Sequence, residues 1–424
     1  MAGLSPNAGL TPVVRTPPPA GSAVRDHVTE EAAITASHGE ELRVEMIADE
    51  DSVVPCGAPV ARLRDAPEVV LVAPMAARVA RISLRPGRRL TEIVLFRENG
   101  DVQGHDVADA AAGSAAALAA LMQASGFWRR LRRRPFGRMP GPDETPAAIF
   151  VMGADTRPLA PDPHQALAGR EDDLGRGLTA LATLTGGPVF LCQPPGAPSV
   201  RTALSGDRLR TLTAGTRHPN GLAGIRAHAA HPARIDAPVW DLHAEDAADL
   251  GALLATGVLP QTRLVSVAGP AMSETRSLRC QIGADLRELT YGATLPGPHR
   301  LLSGSALDGH AAHWLAPLHR QVTALPQDPA HNRPHWFIAA LTSWSLPRPV
   351  IPTAALDQAA GAAFPVMAMV RALSVGDDET ALKLGVLSLV EEDLALIDYV
   401  TGGRPRLSDL LRTMLDRIET EMAG

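Results

Sequence analysis

The pattern of apolar and polar positions divides the 424-residue chain into four zones that follow a Pro-, Gly- and Ser-rich start. That start, residues 1–30, has the composition of a disordered tail. Closely spaced apolar runs separated by turn residues then predict a β-rich module at 31–104. Alternating helix and strand patterns predict an α/β domain with a Rossmann-like parallel sheet at 105–270. A small β-rich domain at 271–325 and a helical region at 326–424 complete the predicted multidomain α/β protein.

Individual elements follow from the length and period of the apolar runs. Short runs bounded by turn residues predict strands, whereas apolar residues spaced three and four apart predict helices. The predicted strands are 53–57, 69–73, 77–84, 91–96, 147–152, 188–192, 263–272, 278–282 and 300–309. The predicted helices are 110–123, 163–185, a stretch around 250–254, a helical turn at 285–289, and 377–400.

Residues 126–163 combine aromatic, Arg and Pro residues in one segment, GFWRRLRRRPFGRMPGPDETPAAIFVMGADTRPLAPDP. Trp128 and Phe136 are large apolar anchors in a chain with only 3% aromatic residues. Repeated prolines prevent a continuous helix, and the apolar run that follows predicts a buried parallel strand. The next loop contains Asp155 and Thr156. Because open α/β sheets bind ligands at the carboxyl ends of their strands, this loop is a candidate site, with a structural crossover as the alternative.

The same segment holds six arginines within ten residues. An Arg side chain binds carboxylate or phosphate bidentately, so docking to an acidic partner or to anionic lipid is one hypothesis. On that hypothesis, replacing Arg129, Arg130 and Arg133 with Gln weakens association and leaves thermal stability nearly unchanged. A solvated face in an Arg-rich protein is the alternative. The six residues are Arg129, Arg130, Arg132, Arg133, Arg134 and Arg138.

Composition excludes several classes of function. Of the 40 basic residues only Lys383 is lysine, and it lies outside the Gly-Lys-Ser/Thr context of a P-loop. No lysine in the first half could carry biotin or lipoate. A net charge of −6 argues against a general nucleic-acid-binding protein. Cys56, Cys192 and Cys280 are too few and too far apart for a disulfide framework or a Cys-x-x-Cys metal site, which favours a reducing cytosol.

Two targeting signals are missing from the sequence as well. No apolar run reaches the ~18–20 residues that span a bilayer, so no transmembrane helix is expected. The N-terminus has neither a charged n-region nor an apolar h-region, so no secretory signal is expected.

Other patterns have the residue types of a site without its spacing. Residues 175–180 match the dinucleotide pattern G-x-G-x-x-A, but acidic residues rather than a strand precede them, which favours a chance match. His243, Glu245 and Asp246 are metal ligands by type. A solvated helix N-terminus, where acidic residues suit the helix dipole, is the favoured interpretation of those three residues.

Two groups of histidines also have the residue type of metal ligands. His310, His313 and His319 form the densest group and could in part share a helical face, but no acidic residue or Cys lies at a structural-zinc spacing from them. His331 and His335 are four residues apart with a proline between them, which interrupts a helix. We therefore predict no metal site and no catalytic residue in this chain.

Three blocks of sequence resemble one known family. Residues 126–163 are similar to the FW, LR-x-RPF, IFV and DT-x-PLA-x-DP run of NqrA, the A subunit of the sodium-translocating NADH:quinone reductase. The segment 218–224, HPNGLAG, and the run 239–259, VWDLHAEDAADLGALLATGVL, resemble the same family. So does SVGDDETALKLGVLSLVEEDLAL at 374–396. The resemblance covers roughly residues 60–424, in the family's order.

The resemblance implies particular folds for two of the zones. The line VLVAPMAARVARISLRPGRRL looks like the hairpin of a biotinyl-carrier-like barrel-sandwich hybrid without a prosthetic group, with Ala77 where the family has Gly. Residues 263–325 resemble the β-grasp, ubiquitin-like domain that the family shares with the C subunit of the Rnf complex and the flavoprotein subunit of respiratory complex I.

The resemblance also implies a function. It implies a peripheral subunit on the cytoplasmic face of the bacterial inner membrane, in a translocase that couples NADH:ubiquinone oxidoreduction to sodium export. The isolated chain would be non-catalytic and bind no cofactor, whereas NADH, flavins, an iron–sulfur cluster and ubiquinone would bind to other subunits. The chain would dock on the membrane quinone-handling subunit, with ubiquinone as a candidate contact and no nucleic acid. The candidates for the quinone site or for docking are Trp128, Arg132, Arg134, Phe136, Asp155, Thr156, His218 and Gly221.

Departures from the family pattern leave two alternatives. The family has Cys-x-x-x-Cys after EEDLAL, but Ile397 and Thr401 stand there in this chain, so thiolates cannot bind an iron–sulfur cluster at these positions. One alternative is therefore a soluble docking paralogue for another redox complex. The other is a free-standing nucleotide or flavin oxidoreductase, against which the missing Gly fingerprint counts.

Overall fold

In the residues that the structure describes, the protein is a mixed α/β molecule with four β-sheets and a set of helices near its C-terminus. A computed structural model describes residues 8–17, 23–204, 206–327, 350 and 353–423. Parts of the predicted tail, 1–7 and 18–22, lie outside the described residues, as do His331 and His335. The largest apolar core joins the N-terminal sheets to one side of the central α/β domain, and a second core lies among the C-terminal helices.

Two small antiparallel sheets form the predicted β-rich module. Strands β1 to β8 are Arg25–Asp26, Glu31–Ile34, Val44–Met46, Val53–Val54, Pro59–Leu63, Val70–Val72, Ala77–Arg85 and Arg89–Arg97. One sheet has the order β2-β8-β7-β4 and the other the order β3-β5-β6. Alternate side chains such as Val79, Ile93 and Leu95 are fully buried in the shared core, as expected for strands with one covered face. All four strands predicted in this module are confirmed.

Part of the N-terminal tail is ordered, so the prediction of disorder is wrong for residues 8–17 and 23–30. The Leu10 N–H donates to the His218 carbonyl at 2.8 Å, and the His218 N–H donates back at 2.9 Å. The Gly9 N–H donates to the Gln358 side chain at 3.1 Å. Composition predicts disorder because the tail has little apolar surface to bury. Composition does not reveal the backbone hydrogen bonds that the tail forms with distant parts of the chain.

The central domain contains a five-stranded sheet. Strands β9 to β13 are Arg132–Arg134, Ala148–Met152, Val189–Gln193, Leu209–Thr213 and Val239–His243. Their order is β12-β11-β10-β13-β9, with β9 antiparallel and the other four parallel. β10 is fully buried, and the parallel strands predicted at 147–152 and 188–192 are confirmed. After β10 the chain adds β11 and β12 on one side of that strand and later adds β13 on its other side. The strand order therefore reverses at β10.

Six α-helices and three short 3-10 helices belong to this domain. Helices α1 to α6 are Ala108–Ala111, Ala115–Ala124, Pro163–Leu167, Glu171–Leu181, Ala223–Ala230 and Ala244–Thr256, and the 3-10 helices are Phe127–Arg130, Ala182–Leu184 and Gly206–Arg208. Two predicted helices are each interrupted at a glycine with positive φ. Gly113 (φ 96°) separates α1 from α2, which Ser114 caps, and Gly169 (φ 74°) separates α3 from α4. Apolar periodicity does not reveal these interruptions, because it continues across them.

Gly177, from the rejected dinucleotide pattern, and Gly251 bring two helices together. A Cβ on Gly177 in α4 would lie 1.8 Å from the Ala247 carbonyl oxygen in α6. A Cβ on Gly251 in α6 would lie 1.9 Å from the Asp173 carbonyl oxygen in α4. The two helix backbones are therefore in direct contact, which only glycine permits. The pattern lies within a helix and not at the strand-to-helix turn that a dinucleotide site requires.

A six-stranded sheet follows. Strands β14 to β18 are Thr262–Ala268, Arg276–Gln281, His299–Ser303, His310–Ala311 and Gln321–Pro326, and helix α7 is Leu286–Thr290. The order is β1-β15-β14-β18-β16-β17, in which β1 comes from the N-terminal segment. Because β14 pairs with β15 and β18, this sheet begins before the boundary predicted at residue 270. His310 lies in a strand, so a helical face shared with His313 is wrong.

The C-terminal region is helical, as predicted. Helices α8 to α12 are Ala354–Ala359, Val366–Val375, Asp378–Lys383, Glu391–Thr401 and Leu407–Ala423, with a 3-10 turn at Val386–Ser388. The helix predicted at 377–400 is interrupted at Gly385, where φ is 80° and a Cβ would lie 2.7 Å from His228. Among the described helices, none combines the length and apolar character needed to cross a bilayer.

Candidate functional site

A cavity of about 540 Å³ lies where the four parts of the protein meet. Ser37 and His38 line it from the N-terminal module, and Gly304 to Gln321 contribute from the six-stranded sheet. On the α/β side it lies beside Asp155 and His243, at the carboxyl ends of β10 and β13. The strand order reverses between these two strands, which is where open α/β sheets bind ligands.

One side of the cavity is built around buried and half-buried carboxylates. We call this group the carboxylate cluster, and its members are Asp155, Asp241, Asp308, Glu392 and Asp393. Arg134, which is fully buried, donates from Nε to Asp241 at 2.9 Å and from Nη1 to Asp393 at 2.9 Å. Arg132 donates to Asp241 at 2.9 Å and to Glu392 at 2.7 Å. These contacts join β9 and β13 to the N-terminus of α11.

Arg157 joins the same cluster to the six-stranded sheet. Its guanidinium donates to Asp155 at 3.0 Å, Asp308 at 2.6 Å and Glu392 at 2.5 Å. These carboxylates come from the loop after β10, the loop after β16 and helix α11. A single side chain therefore fixes three regions of the protein around the cavity.

Acidic side chains outnumber basic ones in this network, because the five members of the carboxylate cluster contact three arginines. Burial opposes ionisation of Glu392, but Arg132 and Arg157 outweigh it and hold the pKa of Glu392 well below its usual range. For Asp393 burial prevails over Arg134, so the pKa of Asp393 is raised. One Asp393 oxygen also has no hydrogen-bond partner within the described residues. The protonated form of Asp393 is the one that burial favours.

A second buried network surrounds the N-terminus of α6. Arg320 pairs with Glu245 and, at 2.6 Å, with Asp246. Arg130 donates to Asp249 at 2.5 Å. Burial favours a higher pKa for Asp246, but the neighbouring arginines lower this pKa instead, and Arg320 has the largest effect among them. The prediction of a solvated helix N-terminus is wrong, since Glu245 is fully buried. Its partner Arg320 lies 75 residues further along the chain, so no local sequence pattern reveals the pairing.

Four of the predicted site residues lie together beside the cavity. The Thr156 hydroxyl accepts from the Gly221 N–H at 2.9 Å and lies 3.3 Å from His218 Nδ1. Asp155 lines the cavity and pairs with Arg157. A Cβ on Gly221 would lie 2.6 Å from the Thr156 nitrogen, so glycine allows the two loops to touch. The structure brings these four residues together, and their role in a site stays a prediction.

The two aromatic candidates lie elsewhere. Trp128 is buried against Trp240, with ring centroids 5.3 Å apart, and donates to the Pro140 carbonyl at 3.1 Å. Phe136 packs into the core of the C-terminal helices. Neither ring lines the cavity. Their position in the structure is that of core anchors, and their role in docking stays a prediction.

The six-arginine cluster does not form an exposed basic face. Arg130 and Arg134 are buried in the two networks. Arg129 donates to the Thr35 carbonyl at 2.6 Å. Arg132 pairs with Asp241, and Arg133 pairs with Glu144. Arg138 pairs with the acidic side chains of α12. A change at Arg130 therefore removes a buried ion pair, which contradicts the expectation that thermal stability is nearly unchanged.

Sequence analysis missed the residues that complete the site. Arg157, Asp241 and Asp308 were not singled out, and Glu392 was used only within a family pattern. One signal was available, because the acidic triplet at 391–393 carries three charges at a helix start. Charged side chains are almost never fully buried unless they are paired.

His243 lines the cavity and has one ring nitrogen that is buried and, within the described residues, unpaired. Its Nδ1 accepts from the Glu245 N–H at 3.2 Å, so the proton of the neutral ring lies on Nε2. Nε2 is buried without a partner in the described part of the chain. Nearby, the His310 ring stacks on His38 with a centroid distance of 4.4 Å and lies tilted against His319 at 5.4 Å. Within the described residues, no three His, Cys, Asp or Glu side chains are placed to hold a metal ion.

Acidification is expected to destabilise the protein between about pH 6.5 and pH 4. Burial lowers the pKa of both His218 and His319 to about 4, whereas the unfolded chain protonates these rings near pH 6.5. The unfolded state therefore binds more protons in this window, and the free energy of unfolding falls as pH falls. Asp249 opposes the trend in part, because burial raises its pKa to about 6. Thermal unfolding measured across this range tests the sign, and a melting temperature that rises on acidification would contradict it.

Fold and site together define a multidomain α/β protein that holds four regions around one polar, ion-paired cavity. Residues 113–259 match the family model described as the NqrA second alpha/beta domain, and residues 264–313 match the one described as the NQRA C-terminal domain. A Pseudomonas aeruginosa PAO1 protein, named as the A subunit of a Na(+)-translocating NADH-quinone reductase, is 34% identical over 388 residues, covering 84% of this chain and 86% of that protein.

A second relative of the same name, from Actinobacillus pleuropneumoniae serotype 3, is 32% identical over 422 residues and covers 91% of this chain and 93% of its own length. The chain belongs to the NqrA family, the A subunits of the Na(+)-translocating NADH-quinone reductase. Among solved structures, an NAD+-reducing NiFe hydrogenase in the air-oxidized state has a TM-score of 0.38 and 13% identity, covering 72% of this chain and 64% of its own. That likeness is too distant to bear on the site.

Proposed function

We propose that this chain is the peripheral A subunit of a sodium-translocating NADH–quinone reductase and contributes a wall of its quinone site. Family membership over most of the chain supports the first part of the proposal. The observation that carries the second is the polar cavity, which His243 lines and beside which the Nε2–H of His243 is buried without a partner in the described residues. In the same proposal, the two N-terminal sheets form a barrel-sandwich hybrid and the six-stranded sheet is a β-grasp, which fits their strand orders.

The cavity has the size and chemistry that a quinone head group needs. Its volume of about 540 Å³ lies in the range typical of small-molecule sites. A quinone ring is flat and apolar, with a carbonyl acceptor at each end. Met152, Leu242 and Leu318 supply apolar surface, and His243 supplies a donor without a competing partner. A neutral donor is favoured because burial lowers the pKa of His243 well below its usual value.

The redox steps would occur on other subunits. NADH, the flavins and the iron–sulfur cluster would bind there, and this chain would dock on the membrane subunit that handles ubiquinone, on the cytoplasmic face. The buried networks support such a role, because they hold the central domain, the six-stranded sheet and the C-terminal helices in fixed positions around the cavity. Ile397, which is buried, and Thr401 replace the Cys pair of the family pattern, so no thiolate is available at those positions.

Quinone reduction by the assembled complex tests the quinone-site proposal. The His243→Ala variant should raise the KM for ubiquinone about 2–10-fold, the effect of losing one neutral hydrogen bond. NADH oxidation with ferricyanide should stay unchanged, because electrons then leave before the quinone site. His231→Ala is the matched control, since His231 does not line the cavity and should leave both rates unchanged. An unchanged KM in the His243 variant would contradict a direct contact with the quinone.

The purified chain is expected to be colourless. It has no lysine for prosthetic attachment in its first half and no Cys pair at positions 397 and 401, and the Gly pattern at 175–180 lies within a helix. An absorbance scan from 300 to about 700 nm and an iron assay check this expectation. A flavin spectrum or iron at one equivalent per chain would instead favour the alternative of an oxidoreductase that works on its own.

A soluble docking paralogue is the second candidate function. The observations that favour it are Ala77 in place of the family glycine and the absence of the Cys pair at Ile397 and Thr401. Purification of the tagged chain from its own cells distinguishes the two. Co-purification with membrane subunits that oxidise NADH supports the pump, and recovery with a different redox enzyme supports the paralogue.

A further inference from the structure

A second, smaller cavity lies where the two N-terminal sheets, the central domain and the six-stranded sheet meet. We call it the junction cavity, and its volume is about 40 Å³. That volume has room for one small ligand or a few water molecules. Ile34 and Val72 line it from the N-terminal sheets, and Ile282 lines it from the end of β15. In such apolar surroundings, a polar group without a partner is destabilising.

Hydrogen-bond donors also line the junction cavity. Gln261 is 8% exposed, and its Nε2 is buried without a partner in the described residues. Arg129 lines the same cavity and donates to the Thr35 carbonyl at 2.6 Å, but it forms no ion pair in the described part of the chain. Burial outweighs the attraction of Glu40 and lowers the pKa of Arg129. An unpartnered amide donor and a guanidinium without a counter-ion therefore line one small space.

The buried network around the N-terminus of α6, beside the junction cavity, has a surplus of positive charge. Arg130 belongs to both, since it lines the cavity and pairs with Asp249. The arginines of the network are Arg130, Arg170, Arg263, Arg279 and Arg320, and its carboxylates are Glu245, Asp246 and Asp249. Five arginines against three carboxylates leave two positive charges without a counterpart, and Arg129 adds another. Asp173 and Arg176, at the edge of the network, add one charge of each sign.

Arg263 shows the effect of this surplus. It is 2% exposed, and its Nε and Nη2 have no hydrogen-bond partner in the described residues. Its contact with a carboxylate is the 3.6 Å approach of Nη2 to Asp246. Burial, together with the neighbouring Arg320, lowers the pKa of Arg263 to about 10. Its Nη1 donates to the carbonyl of Pro317, which lines the junction cavity, so a negative charge in that cavity would stabilise Arg263 as well as Arg129.

We propose that the junction cavity binds one small monovalent anion, such as chloride, between the guanidinium of Arg129 and the amide Nε2 of Gln261. Both groups donate, so they suit a ligand that only accepts hydrogen bonds. Small-molecule sites typically have volumes of about 300–1,000 Å³, so this cavity is too small for a metabolite. A water molecule could accept the same hydrogen bonds but would leave the positive charge uncompensated.

The position of the site gives the anion a structural role. The residues that line the junction cavity come from three parts of the protein, namely the N-terminal sheets, the central domain and the six-stranded sheet. A ligand that binds only when these parts are assembled stabilises their assembly by mass action. We therefore expect chloride to stabilise the folded protein by binding at this junction.

Thermal unfolding of the full chain tests the proposal. Sodium chloride replaces sodium gluconate in steps at constant ionic strength, because gluconate is too large for the cavity. The melting temperature should rise by about 2–3 °C for each tenfold increase in chloride above its dissociation constant. Sodium bromide should have a similar effect, since bromide is also a small monovalent acceptor.

Two variants remove the proposed ligands of the anion one at a time. Arg129→Gln should abolish the dependence on chloride, whatever its own melting temperature. Gln261→Leu removes one neutral hydrogen bond, so about 2–10-fold more chloride should be needed for the same rise. If Arg129→Gln does not fold, the Gln261 variant carries the test.

Arg138→Gln is the matched control. Arg138 comes from the same segment as Arg129, and the substitution changes the net charge equally, but its partners Asp416 and Glu419 lie at the surface and it does not line the junction cavity. This variant should respond to chloride as the wild type does. Equal melting temperatures of the wild type in chloride and gluconate, or an unchanged response to chloride in both the Arg129 and the Gln261 variants, would overturn the proposal.

The inference does not depend on the proposed reductase function. The melting experiment needs neither quinone nor the other subunits. Its failure leaves the quinone-site proposal intact, and an unchanged KM in the His243 variant leaves the anion site intact.

Discussion

Replacement of Arg134 by methionine is expected to lower the free energy of unfolding by about 3–5 kcal/mol, the cost of removing one partner from a buried ion pair. Arg134 is fully buried and contacts Asp241 and Asp393, which are buried as well. Methionine fills much of the volume but leaves the carboxylates without their counter-charge. A urea titration followed by tryptophan fluorescence measures the change, since Trp240 lies in the same strand as Asp241.

Arg138→Met is the control for this prediction. Arg138 comes from the same segment, but its side chain is 32% exposed and its partners Asp416 and Glu419 are at the surface. Exposed pairs contribute about 0–1 kcal/mol, so the control should change stability little. Equal effects of the two substitutions would show that the buried carboxylates are neutralised in another way.

Gly177→Ala is expected to destabilise the central domain by about 3 kcal/mol, at the upper end of overpacking effects. The added Cβ would lie 1.8 Å from the Ala247 carbonyl oxygen. A backbone carbonyl in the middle of α6 cannot rotate away as a side chain can, so the two helices must separate. Gly251→Ala should have a comparable effect, because its Cβ would meet α4 in the same way.

Gly186→Ala provides the comparison for both glycine variants. No atom lies within 4 Å of a Cβ at Gly186, so this substitution should change the stability by less than about 0.5 kcal/mol. Thermal unfolding of the three variants under the same conditions tests the difference. Wild-type stability in the Gly177 variant would contradict direct backbone contact between α4 and α6.

Local features of the fold could be predicted from the sequence, and features that depend on distant partners could not. The strand at 147–152 was predicted because a fully buried strand leaves a continuous apolar run. The burial of Glu245 and Arg130 was not, because each is satisfied by a residue on another element: Arg320 is 75 positions from Glu245, and Asp249 is 119 positions from Arg130. A charged residue has the same appearance in a sequence whether water or a counter-ion surrounds it.

The residues of the candidate site also divide into those that local sequence predicts and those that depend on distant partners. The loop at Asp155 and Thr156 was predicted because it follows a strand, and fold rules place ligands there. His218 and Gly221 were also identified, from the resemblance of residues 218–224 to the family. Their contact with Thr156, however, depends on two loops that lie over 60 residues apart in the chain. The donor of His243 could not be predicted, since its tautomer is set by a backbone N–H of the folded helix.

The long separation between Arg134 and its partners has a consequence for synthesis on the ribosome. Asp393 follows Arg134 by 259 positions. At about 5–20 residues per second, it emerges on the order of half a minute later. Until then the guanidinium lacks a carboxylate from α11, and Phe136 lacks the apolar core of the C-terminal helices. Nascent chains that end before residue 391 should therefore hold the central domain in a loosened, protease-sensitive form that closes only when translation is nearly complete.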